Sequence, residues 1–158
     1  MKVLVVCCSR SGRTRQVAQE IVGRQNADLE TITDSANRCG QPGYVRCVWQ
    51  SLTHAAPPIR PAHKDPGAYE LVIIDTPICA YGLTSPVRTY ARQHASRFRR
   101  VAFFCTEGAA GHLRAFGELR RLCGNEPPAT LVVTEAELLP ESTHAARLDR
   151  FVTGLAAP

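Results

Sequence analysis

The sequence predicts an α/β protein, a doubly wound three-layer sandwich around a five-stranded parallel sheet. Two patterns and the chain length lead there. Unbroken apolar runs of strand length, rich in β-branched residues, recur along the chain, as strands buried on both faces require. Between them lie stretches with apolar residues at i, i+3 and i+4, the spacing of a helix with one buried face. Such alternation builds a parallel sheet with right-handed helical crossovers. At 158 residues the chain reads as one domain, residues 1–158, long enough to enclose a full core.

The first strand opens at Val3 and runs through Val5 and Val6 to Cys7 and Cys8. A helix follows, with Val17, Ala18, Ile21 and Val22 on its buried side. Asp28 to Thr33 has the mixed polarity of a strand at a sheet edge. Residues 34–69 contain no strand. Within them Val45, Val48, Trp49 and Leu52 form one apolar stripe, which predicts a helix from Tyr44 to His54. Pro57, Pro58, Pro61 and Pro66 then mark a stiff crossover. Glu70 to Asp75 is the second strong strand, stopped by Thr76 and Pro77. Ser85 reads as an N-cap with Pro86 in the first helical position. Val87, Tyr90, Ala91, His94 and Ala95 make that helix's apolar face. Arg100 to Thr106 is the third strong strand, followed by a helix carrying Leu113, Phe116, Leu119 and Leu122 inward. Thr130 to Thr134 is the last strand. Ser142 caps a closing helix with Leu148, Phe151, Val152 and Leu155 on one side.

The connection after the first strand holds Ser9, Arg10, Ser11, Gly12, Arg13 and Thr14. Strand, small polar loop, helix is an arrangement that grips phosphate, because the first N–H groups of the helix have no partner within it and the helix dipole adds positive charge there. The loop lacks the Lys of GxxxxGK[ST] and the spacing of GxGxxG. The same residues admit a rival reading. Cys7, Arg13 and Thr14 match the Cys-x5-Arg-Ser/Thr pattern of low-molecular-weight tyrosine phosphatases and arsenate reductases, in which a thiolate attacks while the Arg holds the oxyanion.

Three segments together resemble the flavodoxin family. They are Ser9 to Thr14; Asp75-Thr76-Pro77-Ile78-Cys79-Ala80 with the helix start Thr84-Ser85-Pro86-Val87-Arg88; and Phe103 to Gly111. The resemblance implies strand order 2-1-3-4-5 and a crevice between the first and third strands. It also implies FMN as cofactor, with electron transfer or FMN-dependent redox chemistry, and a redox partner protein or NAD(P)H as the other participant. Its cofactor-binding residues would be Ser9, Arg10, Ser11, Gly12, Arg13 and Thr14 around the phosphate. Around the ring would stand Pro77, Ile78, Cys79, Ala80, Tyr81, Gly82, Thr106, Glu107, Gly108 and Gly111. No residue is assigned a catalytic role. Cys79 stands where related sequences often carry Trp, so Tyr81 is expected to stack on the flavin instead. A flavodoxin-like fold without cofactor, serving as an interaction module, is the third reading. The phosphatases place their general acid in a late Asp-Pro, whereas the Asp-Pro here, Asp65-Pro66, lies mid-chain.

Composition narrows the field further. The net charge is +5 and the isoelectric point about 9.0, which favours acidic partners. No basic run is interleaved with aromatics, so nucleic acid is a weak partner class. Seven cysteines include no CxxC pair. They suggest neither a disulfide framework nor zinc, and Cys7, Cys8 and Cys105 read as small core residues. No apolar run reaches the ~18 residues of a membrane helix. The expected location is the cytoplasm.

Overall fold

The computed structural model describes residues 1–8, 12–33, 40–108, 110–138 and 144–156. Its strands are β1 (Val3–Cys7), β2 (Asp28–Thr31), β3 (Leu71–Pro77), β4 (Val101–Glu107) and β5 (Thr130–Thr134). They form one sheet in the order β2-β1-β3-β4-β5, and every neighbouring pair is parallel. The expected order and the reversal between β1 and β3 are both present. The helices are α1 (Arg13–Gln25), α2 (Gly40–Leu52), α3 (Ser85–His94), α4 (His112–Cys123) and α5 (Ala145–Leu155).

Side chains alternate across the sheet, as the pleat dictates. Val3, Val5 and Cys7 face α1 and α5, meeting Val17, Ile21, Leu148 and Phe151. Leu4 and Val6 face α3 and α4, meeting Val87, Tyr90, Phe116 and Leu119. Both faces are covered, which explains why the central strands read as continuous apolar runs.

Several local expectations need correction. α2 begins at Gly40 and ends at Leu52, against the expected span of Tyr44 to His54. β2 stops at Thr31, although Ile32 still donates its N–H to the Cys7 carbonyl. The N-cap of α3 is Thr84, not Ser85. Ser85 instead donates its hydroxyl to Gln50 Oε1 on α2. Leu113 is 79% exposed, because Ala115, Phe116, Leu119 and Cys123 set the inward face of α4 and leave Leu113 on its flank. The cap assigned to Ser142 lies outside the described residues.

One buried charge ties the upper part of the molecule together. Arg88 on α3 is fully buried. Its Nε donates to Glu118 Oε1 on α4 at 2.5 Å, and its Nη2 donates to Glu118 Oε2 and to the Leu83 carbonyl. Nη1 donates to the carbonyls of Gln50 and Ala55, at the end of α2 and just beyond it. This one fork fixes α2, α3, α4 and the segment leading into α3.

Candidate functional site

At the reversal of strand order, the connection after β1 and the ends of β3 and β4 border a cleft of about 110 Å³. Open α/β sheets bind ligands at this place. β1 and α1 contribute Cys8, Arg13 and Thr14. The end of β3 and the residues after it contribute Pro77, Ile78 and Cys79. β4 and its loop contribute Thr106 and Gly108. Tyr44 and Cys47 of α2, Thr84, Pro86 and Glu135 complete the wall.

One end of the cleft is polar. Gly12 has a left-handed φ of 84° immediately before α1, a conformation glycine adopts without strain. Thr14, in the first turn of α1, is buried, and its hydroxyl meets the Thr106 hydroxyl at 2.7 Å. Each hydroxyl carries one proton, so the pair keeps one O–H to donate beyond itself. Arg13 reaches Glu135 Oε2 at 2.6 Å. The cleft thus holds a guanidinium, a hydroxyl pair and the first turn of a helix, a donor set suited to an anion. Ser9, Arg10 and Ser11 lie outside the described residues.

Ile78, Cys79 and Tyr44 give the lining its apolar part. Cys79 and Gly82 pair by two backbone hydrogen bonds, Cys79 N–H to Gly82 O and Gly82 N–H to Cys79 O. The two residues between them, Ala80 and Tyr81, both have left-handed φ, 48° and 58°. A reversal with both central residues left-handed is a type I′ turn, which usually recruits Asn and Gly. Ala and Tyr there store local strain. The turn points Tyr81 outward, 66% exposed, and the cleft wall does not include it. Ala80, Gly82, Glu107 and Gly111 are not part of the cleft wall either. Glu107 has a structural task. Its carboxylate accepts from the His112 N–H and meets His112 Nδ1 at 2.8 Å, which closes the start of α4. Gly111 sits so near Tyr81 that an added Cβ would come within 2.8 Å of the Tyr81 Cα.

Beneath the polar end lies Asp75, which is fully buried on β3. Its Oδ2 accepts the Cys8 N–H at 3.0 Å, the Cys7 thiol hydrogen-bonds to the carboxyl, and Oδ1 has no N–H or O–H partner. Burial raises the carboxyl well above the ordinary value of 3.8. Burial also pushes the neighbouring Cys7 thiol far up, and the charge of Asp75 adds to this. Cys7 is wholly buried and outside the cleft wall, so its surroundings oppose the thiolate that phosphatase chemistry needs.

An aspartate raised in the fold holds its proton more tightly there than when unfolded. Its contribution to stability is complete below about pH 3.8 and is lost as pH climbs toward the raised value. The stability of Asp75→Asn relative to wild type is therefore expected to rise from pH 4 to pH 8, by about 1.4 kcal/mol per pH unit below the raised value, because the amide has no proton to lose. Urea titrations of both proteins at the two pH values check this.

No protein-family model and no curated protein matches the sequence. Solved structures do. A flavoprotein from Lactobacillus acidophilus, determined in complex with FMN, is 18% identical; the match covers 95% of this chain and 97% of that one with a TM-score of 0.72. Flavodoxin 1 from Bacillus cereus is 16% identical over 98% of this chain and 97% of its own, TM-score 0.60. A WrbA-like flavodoxin from Agrobacterium tumefaciens is 15% identical over 96% and 95%, TM-score 0.58. The fold is flavodoxin-like. Within that fold, the cleft occupies the switch point between β1 and β3.

Of the residues singled out from sequence, Arg13, Thr14, Pro77, Ile78, Cys79, Thr106 and Gly108 share the cleft. Cys8, expected in the core, was not singled out for the site, and neither were Tyr44, Cys47, Thr84, Pro86, Glu135 and the underlying Asp75. Tyr44 and Cys47, three apart on α2, share one face, but nothing in that spacing aims the face at the cleft. For Asp75 the signal was a single acid at the end of an apolar strand, one residue before the Thr-Pro that opens the loop.

Proposed function

We propose that the cleft binds FMN and that the chain works in electron transfer or FMN-dependent redox chemistry. The supporting observation is the meeting of Thr14 and Thr106 at the start of α1, in a cleft that Arg13, Ile78, Cys79 and Tyr44 also line. A phosphate would lie at the first turn of α1, accepting from the hydroxyl pair and from helix N–H groups. Arg13 would share its charge between Glu135 and that phosphate. The ring would rest on the apolar wall. In this reading Tyr44 supplies the aromatic surface assigned to Tyr81 from sequence. When bound, FMN supplies one- or two-electron redox chemistry of its own; the protein supplies grip, orientation and shielding. A redox partner protein or NAD(P)H would be the other electron donor or acceptor. The fold's structural neighbours, one of them determined with FMN, support the same reading.

Purified protein titrated with FMN is expected to bind it, with a shifted flavin absorbance band. Thr14→Ala should weaken FMN far more than riboflavin, which lacks the phosphate. The difference should be on the order of 1.5–3 kcal/mol, the worth of one hydrogen bond to a charged group. Equal losses for the two ligands would move the phosphate away from Thr14. Absence of binding would leave the cofactor-free interaction module.

A further inference from the structure

We propose that the outer face of α2 docks an acidic amphipathic helix of a partner protein. The inner face of α2 is committed, since Tyr44 and Cys47 line the cleft and Ser51 donates to the Cys79 carbonyl. Val45, Trp49 and Leu52 project away from it, spaced by four and three residues, and each is more than half exposed. They present on the order of 400 Å² of apolar surface, a size at which exposed patches on monomers are often functional.

Charge identifies the occupant. Arg46 is exposed on α2 itself, and it is the helix's one charged side chain. Just past the end of the stripe, His54, Arg92 and Arg121 border a shallow depression. The acid in that depression, Glu118, is buried and bound to Arg88. Arg46, Arg92 and Arg121 make no ion pair with any described residue. An apolar stripe beside uncompensated arginines complements a helix whose own stripe is flanked by Glu or Asp. A second copy fits less well. It would set arginine against arginine, and the stripe supplies only about half of the ~800 Å² per partner of a standard stable interface. Nucleic acid would match the arginines and could stack one base on Trp49, but Val45 and Leu52, two thirds of the stripe, offer it nothing.

Trp49 is the only tryptophan in the chain, so its fluorescence reports on this face alone. The full-length protein is titrated with three probes in low salt: a short synthetic helix with a leucine stripe flanked by Glu, the same helix flanked by Lys, and a single-stranded oligonucleotide. The Glu-flanked helix should shift Trp49 emission to the blue, saturably, and bind about tenfold or more tightly than its Lys counterpart. Added salt should weaken it. Arg92→Ala with Arg121→Ala should cut its affinity severalfold. Val45→Ser with Leu52→Ser, both at exposed positions, should abolish binding with the far-UV circular dichroism unchanged. Should that variant misfold, the arginine variant decides alone. No blue shift, equal affinity for the two helices, or tighter binding of the oligonucleotide would overturn the proposal. So would sedimentation showing a dimer that Val45→Ser and Leu52→Ser dissociate. FMN is absent throughout, so the outcome is independent of what the cleft holds.

Discussion

Arg88→Ala is expected to destabilise the fold by about 3–5 kcal/mol, the cost of leaving one half of a buried ion pair behind. Glu118 would remain nearly buried without its counter-charge. The carbonyls of Gln50, Ala55 and Leu83 would each lose a donor. The loss should depend on pH. Burial opposes ionisation of Glu118, but the hydrogen bonds and charges of Arg88 and, to a lesser degree, His54 together outweigh it and hold the carboxyl below its ordinary 4.5. That contribution is present above pH 4.5 and fades as acid protonates the folded form. The gap between wild type and variant should therefore narrow on acidification. Arg88→Met combined with Glu118→Leu should recover much of the loss, because an apolar pair leaves no stranded charge. Denaturant unfolding of the three proteins at pH 7 and pH 4 measures both effects. Equal damage in the single and double variants would mean that the carbonyl contacts to Gln50, Ala55 and Leu83, not the ion pair to α4, carry the stability.

Gly111→Val carries the second large effect. Gly111 has φ 128°, a region side chains avoid. An added Cβ would stand 2.6 Å from Ile78 Cγ2, 2.8 Å from Tyr81 Cα and 2.9 Å from the Tyr81 carbonyl carbon. Two of these are backbone atoms in a turn already strained, so the loops must part. Strain and overpacking together should cost about 2–5 kcal/mol. Ile78 lines the cleft, so FMN affinity should fall as well. Gly108→Ala is the matched control. It lies in the same loop, its Cβ would meet nothing within 4 Å, and it should leave thermal stability nearly unchanged. Thermal melts of the two variants separate a clash at Gly111 from a general intolerance of the loop, and FMN titration of Gly111→Val reads the effect on the cleft.

The strands were legible because the chain writes them in one strong signal, whereas their order was implied only by the resemblance to flavodoxins. Val3 to Cys7 and Leu71 to Ile74 are buried on both faces, so every position is apolar and periodicity hardly matters. The cleft was half legible. Arg13, Thr14, Pro77 and Thr106 sit at strand or helix ends, where sequence order alone predicts convergence. Tyr44 was hidden because it comes from a helix outside the strand-end loops, and only tertiary packing brings that helix over the cleft. Tyr81 misled for a local reason. Its neighbourhood in sequence is the correct loop, but the left-handed pair Ala80 and Tyr81 rotates the ring outward, and nothing in an Ala-Tyr dipeptide announces a type I′ turn. Leu113 misled by its place at the start of α4, where two patterns fit and the deeper residues choose between them.

The crossover from α2 to β3 also bears on how the molecule behaves in a crowded solution. β2 is an outermost strand and only four residues long. The Arg60 N–H takes the Thr33 carbonyl just past its end, and the Glu30 carboxylate accepts the N–H groups of His63 and Lys64. The rest of the crossover offers Pro57, Pro58, Pro61 and Pro66, which have no N–H to lend. An approaching strand would find a short ladder, an occupied end and a neighbour unable to extend pairing. Edge-to-edge association, the hazard of every open sheet, is thereby discouraged on this side by the same prolines that carry the chain from one layer to the next.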